Sequence, residues 1–79
     1  MINLRDENYI KEFGINLNRI RLSKGFSQEE LAFSSNVSLP QITRIEKGKV
    51  NPTLCTIKCL AVGLQINTKE LFEFEIFKI

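Results

Sequence analysis

Seventy-nine residues make one small domain, long enough for a single helical core but too short for a catalytic cleft with a separate substrate domain. A hydrophobic content of 43% and a charged content of 25% argue against disorder, and no apolar run approaches the roughly 20 residues that cross a bilayer. The formal charge is only +2, so its distribution matters more than its sum.

The opening stretch MINLRDENYIKEF carries acids and no continuous apolar core, so it does not read as a secretory signal, and a cytoplasmic protein is expected. Residues 1–8 read as a loose arm or a frayed helix start. Ile10, Phe13, Leu17 and Ile20 then recur at helical spacing and predict a first helix over 9–24, closed by Lys24 and Gly25. A second helix is expected over 28–35 and a third over 39–47, stopped by Gly48. Thr53 opens a fourth helix running to about 64, with Leu54, Ile57, Leu60, Ala61 and Leu64 as its inner face. A short turn at 65–67 leads to Thr68, which is expected to cap a last helical turn through Phe72. The whole reads as all-α, with five helices over 9–72 and an apolar tail over 73–79.

The stretch Ser27–Gly48 carries the most information. Its spacing suits two short helices meeting at a turn, the shape that presents a second helix to the DNA major groove. Ser27 and Glu30 form a capping box at the start of the second helix. Leu31 and Ala32 follow on its inner face, with small Ala32 where the helices come closest. Val37 plugs the turn, and Asn36 tolerates the left-handed backbone that such a turn requires. Ser38 can cap the third helix, whose Ile42 and Ile45 face inward. Proline inside a helix costs about 3 kcal/mol, but Pro40 is then the second helical residue, where its missing amide would have had no intrahelical acceptor.

Basic charge gathers around this stretch. Between Arg19 and Lys58 lie seven basic residues and three acidic ones, a patch that attracts a phosphate backbone, although a solvated face of mixed charge is the plainer alternative. Cys55 and Cys59, one turn apart on the fourth helix, are poorly placed for a disulfide. With no histidine in the chain they do not make a zinc site either, and they read as small hydrophobes. There is no paired carboxylate at a plausible site, no phosphate-cradling glycine loop and no base beside either cysteine. No enzyme, cofactor, metal or small-molecule ligand is expected.

From Phe13 to Leu64 the sequence resembles the XRE-type helix-turn-helix domain of phage repressors and of controller proteins of restriction systems. The resemblance rests on Gly14, Leu17, Ile20 and Arg21, then on Gly25-Phe26-Ser27-Gln28-Glu29-Glu30-Leu31-Ala32 and Val37-Ser38. It continues in Ile42-Thr43-Arg44-Ile45-Glu46-Lys47-Gly48, Pro52-Thr53-Leu54, Ala61 and Leu64. It implies a phage-repressor-like fold and roles for individual residues. Ser38, Leu39, Pro40, Thr43 and Arg44 take positions from which the family touches base edges, with Gln41 beside them. Gln28 takes a phosphate-holding position that also braces the recognition helix. Lys47, Lys49 and Asn51 match backbone-contacting positions, and Arg21 with Glu46 matches an internal salt bridge. Where many relatives have hydrogen-bonding residues, this chain has Leu39 and Pro40. These can meet only thymine methyls, which leaves Arg44 as the candidate reader of guanine. Packing of Leu39, and plain solvation of Gln41 and Thr43, remain alternatives.

One reading helix buries little surface, so a homodimer on a two-fold symmetric operator is expected. Cys55, Cys59 and Val62 form a second apolar stripe on the fourth helix. The tail FEFEIFKI adds Phe72, Phe74, Ile76, Phe77 and Ile79. Residues 73–79 could form a strand or helix at the dimer interface, or fold back on the monomer's core. The function expected is that of a sequence-specific transcriptional regulator, a repressor or autoregulator; the alternative is an antitoxin or adaptor whose tail binds another protein.

Overall fold

The computed structural model describes residues 5–74. It contains four α-helices, α1 (Glu7–Ser23), α2 (Gln28–Ser35), α3 (Leu39–Glu46) and α4 (Leu54–Leu64), and closes with a 3-10 turn at Thr68–Phe72. No strand occurs among the described residues.

Each start is written by a side-chain acceptor. Asp6 accepts from the Tyr9 amide, so α1 begins two residues before the apolar spacing indicated. Ser27 accepts from Glu30 N–H at 3.0 Å while its own N–H donates to the Glu30 carboxylate at 2.8 Å, completing the capping box. Ser38 and Thr53 cap α3 and α4, and Pro40 is the second residue of α3. The ends are equally local. Gly25 at φ +79° lets Phe26 N–H reach back to the Arg21 carbonyl, and Gly48 at φ +71° lets Lys49 N–H reach Arg44. Asn36 takes the left-handed conformation at φ 59°, ψ 32°, as the turn requires. The helices α1 and α3 end one residue short of expectation because the next residue is already the cap.

The core is built by α1 packing on α3 and by α2 packing on α4. Leu17, Leu31, Ile42, Ile45, Leu60, Leu64 and Leu71 are fully buried. Two close approaches depend on bare Cα atoms: a Cβ on Gly14 would collide with the Ile45 carbonyl oxygen, and one on Gly63 would lie 2.7 Å from Ser35 Cβ. Ala32 is half-buried against the same core.

Three expectations are corrected. Leu54 is 84% exposed and not part of the inner face, which starts at Ile57. It occupies the first position of α4, and because helical side chains tilt toward the N-terminus it projects past the helices that cover the rest of the stripe. The last helix is 3-10, and its cap is Asn67, whose N–H donates to the Glu70 side chain, rather than Thr68. The turn is held by Asn16, buried on α1, which donates to the carbonyls of Glu70 and Leu71. Glu73 and Phe74 are not extended as a strand: Phe74 N–H bonds back to the Phe72 carbonyl at 2.9 Å, and the rings of Phe74 and Phe72 lie 5.2 Å from those of Tyr9 and Phe13 on α1. The rest of the expected tail element, including Ile76, Phe77 and Ile79, lies outside the described residues.

Gly14→Ala is expected to destabilise the protein by about 1 to 3 kcal/mol, because backbone rather than a movable side chain opposes the new methyl. Urea unfolding followed by circular dichroism would check this, and unchanged stability would mean that α1 and α3 are not so close.

Candidate nucleic-acid interface

The orientation of α3 is set by one buried carboxylate. Glu46 at its C-terminal end faces inward, its side chain 6% exposed, and meets the guanidinium of Arg21, 8% exposed, from α1. Arg21 Nε donates to Oε2 at 2.7 Å and Nη2 to Oε1 at 3.1 Å, while Nη1 donates to the Phe26 carbonyl at 2.8 Å. Asn18 on α1 and Gln28 on α2 each donate to Oε1 at 2.9 Å. Gln28 in turn accepts the hydroxyl of Thr43 at 2.9 Å. Three helices are therefore joined through Glu46, and α3 is fastened to α2 a second time through Gln28.

Burial by itself would raise the Glu46 pKa. The donors Arg21, Asn18 and Gln28, together with the Arg21 charge, more than offset it and hold the carboxyl below its ordinary value of 4.5. The Arg21–Glu46 pair expected from the sequence is thus present and internal. Asn18 was not anticipated, although it lies three residues before Arg21 on the same helical face, and that spacing was its available signal.

With its inner side fixed, α3 turns the remaining residues outward. Ser38, Pro40 and Arg44 are exposed, and Leu39, Gln41 and Thr43 are half-buried. Ser38 Oγ accepts from Gln41 N–H, and the Thr43 hydroxyl is engaged by Gln28, so these two groups serve α3 itself. Beyond the helix, Lys47, Lys49 and Asn51 are exposed along the connector to α4. Arg44, Lys47 and Lys49 form no ion pair with any described residue. Gln28 is half-buried with both ends of its amide occupied, which accounts for bracing more directly than for phosphate holding.

Among the described residues, those expected at a dimer interface differ in their surroundings. On α4, Cys55 and Val62 are exposed, while Cys59 is half-buried against the core. Phe72 and Phe74 lie against α1 of their own chain. No group of metal-ligating side chains occurs among the described residues, and no described helix is long and apolar enough to cross a membrane.

Two short helices joined at a left-handed asparagine, the second presenting a cation-edged face, define a helix-turn-helix DNA-binding protein. The family model described as Helix-turn-helix matches residues 17–71. Control protein C.BamHI of Bacillus amyloliquefaciens is 38% identical over 63 residues, 78% of each chain. The restriction-modification controller protein C.AhdI from Aeromonas hydrophila has a crystal structure similar to this fold at TM-score 0.78, with 40% identity over 80% of this chain and 96% of that one. The controller protein C.Esp1396I, crystallised as a tetramer with its natural 35 base-pair operator, matches at TM-score 0.76 and 31% identity over 82% of this chain and 86% of its own. The chain belongs to the XRE-type helix-turn-helix family and is a DNA-binding transcriptional regulator.

Because the folded Glu46 carboxyl binds its proton less readily than the unfolded one, its stabilisation is complete above pH 4.5 and is lost as pH falls through the lower folded-state value. Glu46→Gln should flatten this acid limb. At neutral pH it should cost about 3 to 5 kcal/mol, since it leaves a buried Arg21 without its counter-charge. Urea titrations of both proteins across this pH range would check it; an identical acid limb would exclude Glu46 as its source.

Proposed function

We propose that the chain is a homodimeric repressor or autoregulator that binds a two-fold symmetric operator with α3 in the major groove. The observation that carries the reading is the Glu46 network, which fixes α3 from its inner side and leaves Arg44 free at the outer one. In this reading Arg44 reads guanine, and Leu39 and Pro40 contact thymine methyls. Ser38, Gln41 and Thr43 line the same groove, Lys47, Lys49 and Asn51 meet the phosphates, and Gln28 braces α3 from α2. Control of a restriction-modification system is the role carried over from the relatives. The setting is the cytoplasm, and catalysis has no part in it.

Dimerisation is assigned to the outer side of α4, where Val62 is 61% exposed and Leu54 and Cys55 are exposed beside it. The reading domain runs from α1 through the 3-10 turn, residues 7–72. A helix apolar on its outer as well as its inner side needs a second partner, and a second copy of the same face supplies one.

Selection of bound sites from random DNA should return a two-fold symmetric consensus, and a consensus without symmetry would overturn the dimeric reading. Arg44→Ala should relax the preference at one base position per half-site by about 1 to 3 kcal/mol. Lys47→Ala should instead weaken all sequences about equally. Uniform weakening by Arg44→Ala would remove it from base reading.

Val62→Glu should give a monomer of unchanged helical content, because a charge buried in a symmetric apolar contact meets its own copy. Size-exclusion chromatography with light scattering would read this directly. A dimer that survives the substitution would move the interface away from α4.

A further inference from the structure

We propose that Lys11, on α1, is a DNA-phosphate contact that extends the backbone-binding edge beyond the connector after α3; this rests on the operator-binding reading above. The position follows from Gly48. A Cβ there would lie 3.0 Å from Lys11 Cα, 3.3 Å from its Cβ and 3.5 Å from its Cγ, so the Lys11 stem leaves α1 directly over the bare Cα of the connector. Lys47 and Lys49 flank that same glycine, and all three lysines are exposed. Arg5, itself paired with Glu7, lies at the same edge, its Nη2 donating to the Lys49 carbonyl at 3.1 Å.

The local acids do not neutralise this group. Glu7 lies one turn before Lys11, where a helical ion pair could form, yet its carboxylate is held by Arg5 Nε at 2.7 Å. Lys11, Lys47 and Lys49 have no ion pair among the described residues. Like charges gathered on two elements at a backbone contact repel in the free protein, and a polyanion relieves that repulsion. The site is also rigid, since α1 is fixed against α3 by the close approach at Gly14 and against the connector at Gly48.

The test uses the full chain and the operator selected from random DNA, with binding measured across a salt series. Lys11→Gln keeps the stem over Gly48 and removes only the charge. It should weaken all sequences about equally and reduce the slope of log affinity against log salt by about 1 per subunit, as Lys47→Ala does. Lys69→Gln, on the 3-10 turn, should leave the slope unchanged. A wild-type slope for Lys11→Gln alongside a reduced slope for Lys47→Ala would overturn the inference while leaving the operator reading intact. Failure of the wild-type protein to bind any selected DNA would overturn the operator reading first, and this inference with it.

Discussion

A carboxylate removed from water is costly unless donors replace the water, and Glu46 has donors from two helices: Arg21 and Asn18 on α1 and Gln28 on α2. The rest of the molecule is arranged around that requirement. Bringing α1 close enough for Arg21 to reach demands Gly14 against the Ile45 carbonyl. Bringing Gln28 into range demands that α2 start at residue 28, which the Ser27–Glu30 capping box fixes. The isoleucines one turn apart on α3 then bury themselves on the side opposite its exposed face.

Such an arrangement is specific more than it is strong. Paired buried charges contribute little net stability over an apolar substitute of equal shape, but they tolerate no other alignment of the three helices. An apolar contact between α1 and α3 could slide by part of a turn with modest loss. A bidentate guanidinium cannot, because two of its nitrogens must meet both oxygens at once. The rotation of α3 about its axis, which decides which residues point outward, is thereby held by hydrogen-bond directions and not by packing alone.

Much of this was legible in the chain because the signals were local. Caps at Ser27, Ser38 and Thr53, left-handed Asn36 and the inward Ile42–Ile45 pair each depend on residues within one turn, and the structure agrees at each. The Arg21–Glu46 pair, 25 residues apart, was accessible only through family resemblance, since no local rule joins positions so distant. Asn16 and Asn18 escaped because asparagine on a helix reads as solvated, whereas both reach across to other elements. Leu54 misled for the opposite reason: its spacing is that of the core stripe, but periodicity carries no information about where the neighbouring helices stop. The aromatic residues at the end of the 3-10 turn read as available to a partner or to their own core, and Phe72 and Phe74 find Phe13 and Tyr9 in their own chain.

The N-terminal edge of α3 is chemically unlike that of α2. Pro40 has no amide hydrogen, the Gln41 amide is occupied by Ser38 Oγ, and the Ile42 amide bonds the Ser38 carbonyl, while Leu39 and Pro40 present carbon. Such an edge has few donors to leave stranded. Discrimination by a polar site comes largely from the penalty of stranding a buried donor or acceptor, and a carbon surface exacts no such penalty. Whatever lies against Leu39 and Pro40 is therefore judged by fit alone. A partner set against this edge would escape the rejection that a glutamine or arginine in the same place exerts on a mismatched group.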